Sequence, residues 1–122
     1  MKLRMLVADD DALSAGRMLR LLAPYGDQVE VIGVAENGIE ALEMIDRLAP
    51  EVVFLDVEMP LMDGIEVCRR MQHRARVVVF TASDAYRKEA REAGAFAYMC
   101  KPVGADEISE LMGRIRVPRL VN

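Results

Sequence analysis

Four short apolar runs in this chain each end in a residue able to do chemistry. Leu3 to Ala8 runs into Asp9-Asp10-Asp11, Val52 to Leu55 into Asp56, Val77 to Phe80 into Thr81, and Ala97 to Cys100 into Lys101. The carboxylates have no basic neighbours in sequence. Brought together they would repel, and a hard divalent cation, which prefers carboxylate oxygens, relieves that repulsion. Lysine and threonine add nothing to such a cation site. They suit a phosphate, as a point charge and a hydrogen-bond donor for its oxygens. The combination points to phosphoryl chemistry, in which an aspartate can act as nucleophile and become an aspartyl phosphate.

These residues can meet only if the apolar runs lie side by side, and the segments between them say how. Ala12, Ala15, Leu19 and Leu22 recur at helical spacing, closed by Pro24 and Gly26. Val29 to Val34 reads as a strand and Asn37-Gly38 as a turn. Leu42, Ile45 and Ala49 mark a second helix, stopped by Pro50. Met59-Pro60 and Asp63-Gly64 frame a loop, followed by a short helix through Ile65, Cys68 and Met71. Tyr86 to Ala93 is a weak, highly charged helix ended by Gly94. Ile108, Leu111, Met112 and Ile115 stripe a last helix, ended by Pro118. Five strands thus alternate with five helices, and three strands are continuous apolar runs, as parallel strands covered on both faces require. With right-handed crossovers this predicts an open, doubly wound α/β sheet, whose ligands bind beyond the carboxyl ends of the strands. The chemistry-bearing residues stand at those ends.

Composition agrees. A chain of 122 residues makes one domain, large enough for a core without disulfide or metal staples. With 52% hydrophobic and 30% charged residues it is neither disordered nor fibrous. No apolar run nears the roughly 20 residues of a membrane span, and the N-terminus does not read as a secretory signal. One histidine with Cys68 and Cys100 makes neither a disulfide framework nor a structural zinc site, so a reducing cytoplasm is expected. The net charge is −4 with the basic residues scattered, which favours a cation or a basic partner surface over direct nucleic-acid binding.

At this point the chain resembles a known family, the receiver domains of two-component response regulators, over essentially its whole length. The resemblance rests on Asp9-Asp10, Asp56 three residues before Met59-Pro60, Asp63-Gly64, Thr81-Ala82, and Tyr98 three before Lys101-Pro102. It implies a flavodoxin-like sheet of order 2-1-3-4-5, with a domain over residues 1–117 and a tail or linker from 118 to 122. It implies that Asp56 accepts a phosphoryl group from a histidine kinase or phosphotransfer protein. Asp10 and Asp56 would ligate Mg²⁺ or Mn²⁺ directly, Asp9 mainly through water, and Glu58 through its backbone carbonyl. Lys101 and the Thr81 hydroxyl would hold the phosphate oxygens, with room at the Ala82 N–H. Thr81 and Tyr98 would move together as the switch, and Lys101-Pro102 would be cis. Glu58 and Ser83, each two residues past a site residue, would tune the lifetime of the phosphorylated state. The output face would be the fourth helix, fifth strand and last helix, serving an output domain, an effector or a phosphorylation-dependent homodimer. Such a protein is a phosphoacceptor, not a turnover enzyme.

Singly, each residue has an ordinary reading: Asp10 or Asp11 as a helix cap, Asp56 as a loop acid, Thr81 as a strand residue, Tyr98 as packing, Lys101 as surface charge. His73 reads as a surface loop residue. None of these explains why the set falls at strand ends. Three other readings compete. An aspartate-nucleophile phosphatase of haloacid-dehalogenase type wants a second Asp two residues on, but here the pair is Asp56-Val57-Glu58. A degenerate receiver used only for binding would not need the intact acid, Thr and Lys set. A nucleotide site is weaker still, because the first strand–helix turn lacks a glycine-rich cradle.

Overall fold

The elements follow the apolar runs and caps in the computed structural model, which describes residues 1–116. In chain order they are β1 (Leu3–Ala8), α1 (Ala12–Leu22), a short 3-10 turn (Ala23–Tyr25), β2 (Val29–Ala35), α2 (Gly38–Leu48), β3 (Val52–Leu55), α3 (Gly64–Arg70), β4 (Arg76–Thr81), α4 (Arg87–Glu92), β5 (Ala97–Cys100) and α5 (Ala105–Arg116). The strands form one sheet, order β2-β1-β3-β4-β5, with every neighbouring pair parallel. The predicted doubly wound sheet with five helices is therefore what this chain builds.

Alternation along the strands sorts side chains to two faces. Met5, Val7, Phe54, Val78 and Phe80 face α1 and α5, where they meet Met18, Leu22, Ile108, Leu111 and Ile115. Leu6, Ala8, Val53, Leu55, Val77 and Val79 face the other way, onto Ala41, Ile45, Ile65, Val67 and Ala90 of α2, α3 and α4. All four residues of β3 are buried, as its uninterrupted apolar run requires. Phe54 and Phe80 meet edge to face at 6.3 Å beneath the carboxyl end of the sheet. Such a pair is worth about 0.5–1.5 kcal/mol beyond its buried area.

Local differences from the predicted elements have physical reasons. Asn37-Gly38 is a helix start, not a turn. The Asn37 side chain accepts from Glu40 N at 2.8 Å, and Gly38 opens α2 because its backbone lies against Met62. The third helix stops at Arg70, and Met71, though apolar and in phase, is already extended. The charged helix shrinks to Arg87–Glu92, with Ala90 as its one buried residue; Gly94 ends it at φ +99°, a conformation that side chains resist. His73 is half-buried and its Nε2 bonds the Pro50 carbonyl at 2.7 Å. The stop at Pro118 and the tail from 118 to 122 lie outside the described residues. Among the described residues no helix is long and apolar enough to cross a membrane.

Candidate functional site

β1 and β3 are adjacent, and the chain leaves them in opposite directions across the sheet, so their carboxyl ends border the crevice where such folds bind ligands. The backbone there is fixed by the ladder: Asp9 N–H donates to the Ala35 carbonyl at 3.0 Å and Asp56 N–H to the Ala8 carbonyl at 3.0 Å. Asp9 and Asp56 are buried, at 1% and 5% exposure, while Asp10 faces solvent. Oxygens of all three lie within 4.8 Å of one another. The helix cap is Asp11, whose carboxylate accepts from Leu13 N at 3.0 Å. Asp10 is thereby left free of the capping role that competes for it.

Lys101 comes from the far end of β5. Its Nζ donates to Asp9 Oδ2 at 2.8 Å and Asp56 Oδ2 at 3.0 Å, and it lies 4.9 Å from the Phe80 ring centre. Its backbone N–H is held by the Thr81 carbonyl at 2.8 Å, and the Lys101-Pro102 peptide is cis. Burial pushes the Asp56 carboxyl above its ordinary range; the Lys101 ammonium works against that, and the Asp9 charge adds to it, leaving Asp56 raised overall. For Lys101 burial favours the neutral amine, but its bonds to Asp9 and Asp56 outweigh it and the ammonium is held above its usual range. One ammonium bridges two of the three carboxylates gathered here.

Thr81 ends β4 beside this cluster. It is fully buried beside the Asp56 carboxylate, whose ionised form its hydroxyl favours, yet that hydroxyl makes no hydrogen bond of good geometry. An unsatisfied buried hydroxyl costs about 1–3 kcal/mol, so its presence calls for a reason other than packing. Ala82, next in the chain, is exposed. Tyr98 on β5 is half-buried, with its hydroxyl donating to the Ser83 carbonyl at 2.6 Å and the Arg87 guanidinium 4.6 Å from its ring centre. Burial raises its pKa.

The structure thus gathers Asp9, Asp10, Asp56, Thr81 and Lys101 at one rim. The two expected tuning residues make other contacts. The Glu58 carboxylate accepts from the Tyr86 hydroxyl at 3.0 Å, and the Ser83 hydroxyl accepts from Ala85 N at 3.0 Å. Two contributors are not legible in sequence. Gly64 seats the start of α3 on the strand that ends in Asp56: its N–H donates to the Val57 carbonyl at 2.8 Å, and a β-carbon there would stand 2.2 Å from the Asp56 carbonyl oxygen. In sequence the Asp63-Gly64 pair frames a loop and supports the family resemblance, but does not show this contact. Tyr86, apolar-looking at a helix start, reaches the loop after Asp56.

Known proteins resemble this chain in sequence and in fold. The family model of the response regulator receiver domain matches residues 5–113. A response regulatory protein of Vibrio cholerae is 40% identical over 112 residues, covering 90% of this chain and 47% of its own. The transcriptional regulatory protein BtsR of Salmonella typhi is 34% identical over 119 residues, covering 96% and 49%. The chain therefore spans about half the length of the curated relatives it matches. The receiver domain of AraT, a response regulator from Geobacillus stearothermophilus, superposes with a TM-score of 0.84 at 29% identity, over 94% of this chain and 93% of that one. On this sequence pattern, sheet order and match, the chain belongs to the response regulator receiver domains of two-component signal transduction.

Proposed function

We propose that Asp56 is the phosphoacceptor, taking a phosphoryl group from a phosphohistidine of a histidine kinase or phosphotransfer protein. The observation that carries this is the buried Asp56 carboxylate at the end of the central strand, bonded to Lys101 and bordered by a fully buried Thr81 hydroxyl with no partner. An Asp56 oxygen forms the bond to phosphorus as the P–N bond breaks, and the imidazole leaves. Lys101 favours the ionised, nucleophilic form that burial opposes. The Thr81 hydroxyl, the Lys101 ammonium and the Ala82 N–H are the donors for the phosphoryl oxygens.

The donor set also fits a hard cation. Three carboxylates meet, one ammonium bridges two of them, Asp9 and Asp56, and Asp10 is open to solvent. Asp9, Asp10, Asp56 and the Glu58 carbonyl would hold Mg²⁺ or Mn²⁺. Such an ion supplies positive charge against which the acids and the phosphoryl oxygens can sit together.

A phosphate at Asp56 gives the Thr81 hydroxyl an acceptor. Drawing Thr81 toward it shifts the segment leading to α4, and Tyr98, bonded to Ser83 in that segment, moves with it. The surface that changes is α4, β5 and α5, which we assign to output: a following domain, an effector or a second copy. That BtsR is a transcriptional regulator of about twice the matched length supports a role inside a longer regulator.

The test is intact-mass analysis after incubation with Mg²⁺ and acetyl phosphate. One acid-stable, base-labile phosphate is expected on the wild type and none on Asp56→Asn. Uptake by Asp56→Asn at the wild-type rate overturns the assignment, and catalytic release of phosphate from simple esters would favour a phosphatase.

A further inference from the structure

Tyr86 closes the segment that follows Thr81 and stands at the start of α4, where its side chain makes no capping bond. The ring packs against the apolar layer under α2, α3 and α4, and the hydroxyl crosses to the neighbouring loop to donate to Glu58 Oε2 at 3.0 Å. Glu58 lies two residues past Asp56, and its N–H points at Asp56 Oδ1 at 3.3 Å. The root of the Glu58 side chain is therefore at the mouth of the site. Its carboxylate is exposed, and Tyr86 is its one hydrogen-bond partner among the described residues. Asp9, Asp10 and Asp56 already crowd three negative groups together here, and any phosphodonor arrives as an anion. A mobile fourth carboxylate over the opening would repel it.

We propose that Tyr86 is a positioning residue that clasps the Glu58 carboxylate to one side of the approach to Asp56, keeping that approach open to an anionic phosphodonor. This rests on Asp56 being the phosphoacceptor. The clasp joins the loop after Asp56 to the start of α4, so access to the site depends on where α4 stands. Without the hydroxyl, Glu58 is free to turn on its three side-chain bonds over the cluster. One added unit charge several ångströms from the reacting group, partly solvated, slows a charged partner by roughly three- to tenfold, and salt screens the effect.

The experiment measures initial rates of phosphorylation by acetyl phosphate with Mg²⁺, at low salt and at high salt. In this reaction an Asp56 oxygen bonds to phosphorus, the P–O bond to the acetyl group breaks, and acetate leaves. Tyr86→Phe keeps the packed ring and loses only the hydroxyl. It is expected to be about three- to tenfold slower than wild type at low salt and to approach it at high salt. In a Glu58→Gln background, where no charge is released, the same substitution is expected to change nothing, and Glu58→Gln alone should be at least as fast as wild type. A Tyr86→Phe rate equal to or above wild type at low salt overturns the proposal. So does a slowing that persists with Glu58→Gln, which is what mere damage to α4 would produce. Asp56→Asn is run alongside: phosphate uptake there refutes the phosphoacceptor reading itself, whereas an inert Asp56→Asn with a salt-independent Tyr86→Phe refutes the clasp alone.

Discussion

The loop after Asp56 and the segment after Thr81 leave adjacent strands, yet they are held in different ways. Between β3 and α3 the backbone is tied at short intervals: Met59 N–H to Val57 O, Met62 N–H to Pro60 O, Gly64 N–H to Val57 O, and Gly38 N–H from α2 to Pro60 O. Val57, Met59 and Ile65 are buried beneath it. Leu61 even holds a positive φ of 72°, a strained conformation for a branched side chain that only firm surroundings maintain. Between β4 and α4, Ala82, Asp84 and Ala85 are exposed, and α4 has a single buried residue. What holds this side is polar and mostly at the surface: Tyr98 to Ser83, Arg87 to Asp84 at 2.7 Å, and the Cys100 thiol to Asp84 at 3.3 Å. Surface ion pairs of that kind contribute little stability. One side of the site is built to keep its place and the other to give way at low cost, as the proposed switch driven from Asp56 would require.

Gly64→Ala should break the rigid side most severely. The added methyl would meet the Asp56 carbonyl oxygen at 2.2 Å, with backbone on both sides of the clash. A loss of about 3 kcal/mol in chemical denaturation is expected, together with loss of phosphate uptake. Gly94→Ala, beyond α4, meets nothing within 4 Å and suffers only its positive φ, so about 1 kcal/mol is expected there. Equal costs would mean that the seat of Gly64 on Asp56 adds nothing to the rigidity of the loop between β3 and α3.

Lys101→Met removes the cation that ties β5 to the acids of β1 and β3. Two buried carboxylates lose their partner, and the metal-free protein should lose about 2 kcal/mol in the same assay, less than for a fully buried pair because Lys101 is partly exposed. Added Mg²⁺ should recover part of the loss by supplying charge to the same acids. A loss indifferent to Mg²⁺ would mean that Lys101 acts through packing.

Thr81→Val is expected to move stability the other way. It removes a buried hydroxyl without a partner at nearly constant volume, so the unphosphorylated protein should gain about 1 kcal/mol in melting or denaturant experiments. The same variant should respond less to phosphorylation, because the group the phosphate would attract is gone. A destabilised Thr81→Val would show that the hydroxyl is satisfied in the resting state.

The smallest expected effect is in pH. Asp56 holds its proton to higher pH in the fold than in the unfolded chain, where a value near 3.8 is expected. The unfolded state therefore releases that proton first, and the stability linked to Asp56 falls as pH rises from about 3.8 through the raised folded value. Lys101 is also raised, so its contribution lasts through neutral pH and is lost only above the ordinary lysine value of 10.5. Asp56→Asn should flatten the acid-side fall and raise the melting temperature at neutral pH by a few degrees. An unchanged profile would place the raised proton elsewhere.

Most of the fold was open to reading without coordinates, because its signals are local. Apolar runs of four to six residues, helical stripes such as Ala12 to Leu22 and stops such as Pro50 depend on near neighbours, and parallel sheets leave few ways to join them. The same locality placed Asp9, Asp10, Asp56, Thr81 and Lys101 at strand ends. It failed where an element is set by what it lies against. Asn37-Gly38 looked like a turn because the close approach of Met62 is invisible in sequence, and Gly64 gave no sign of resting on Asp56. Only the folded chain decided that Asp11 and not Asp10 caps α1, that Lys101 reaches across two strands to two acids, that the Thr81 hydroxyl is left without a partner, and that Tyr86 holds Glu58. Each of these is a contact between side chains on separate elements. Residue type and spacing fix the element and the face from which a side chain departs, but which atoms it meets depends on how the elements pack and on distances of a few tenths of an ångström.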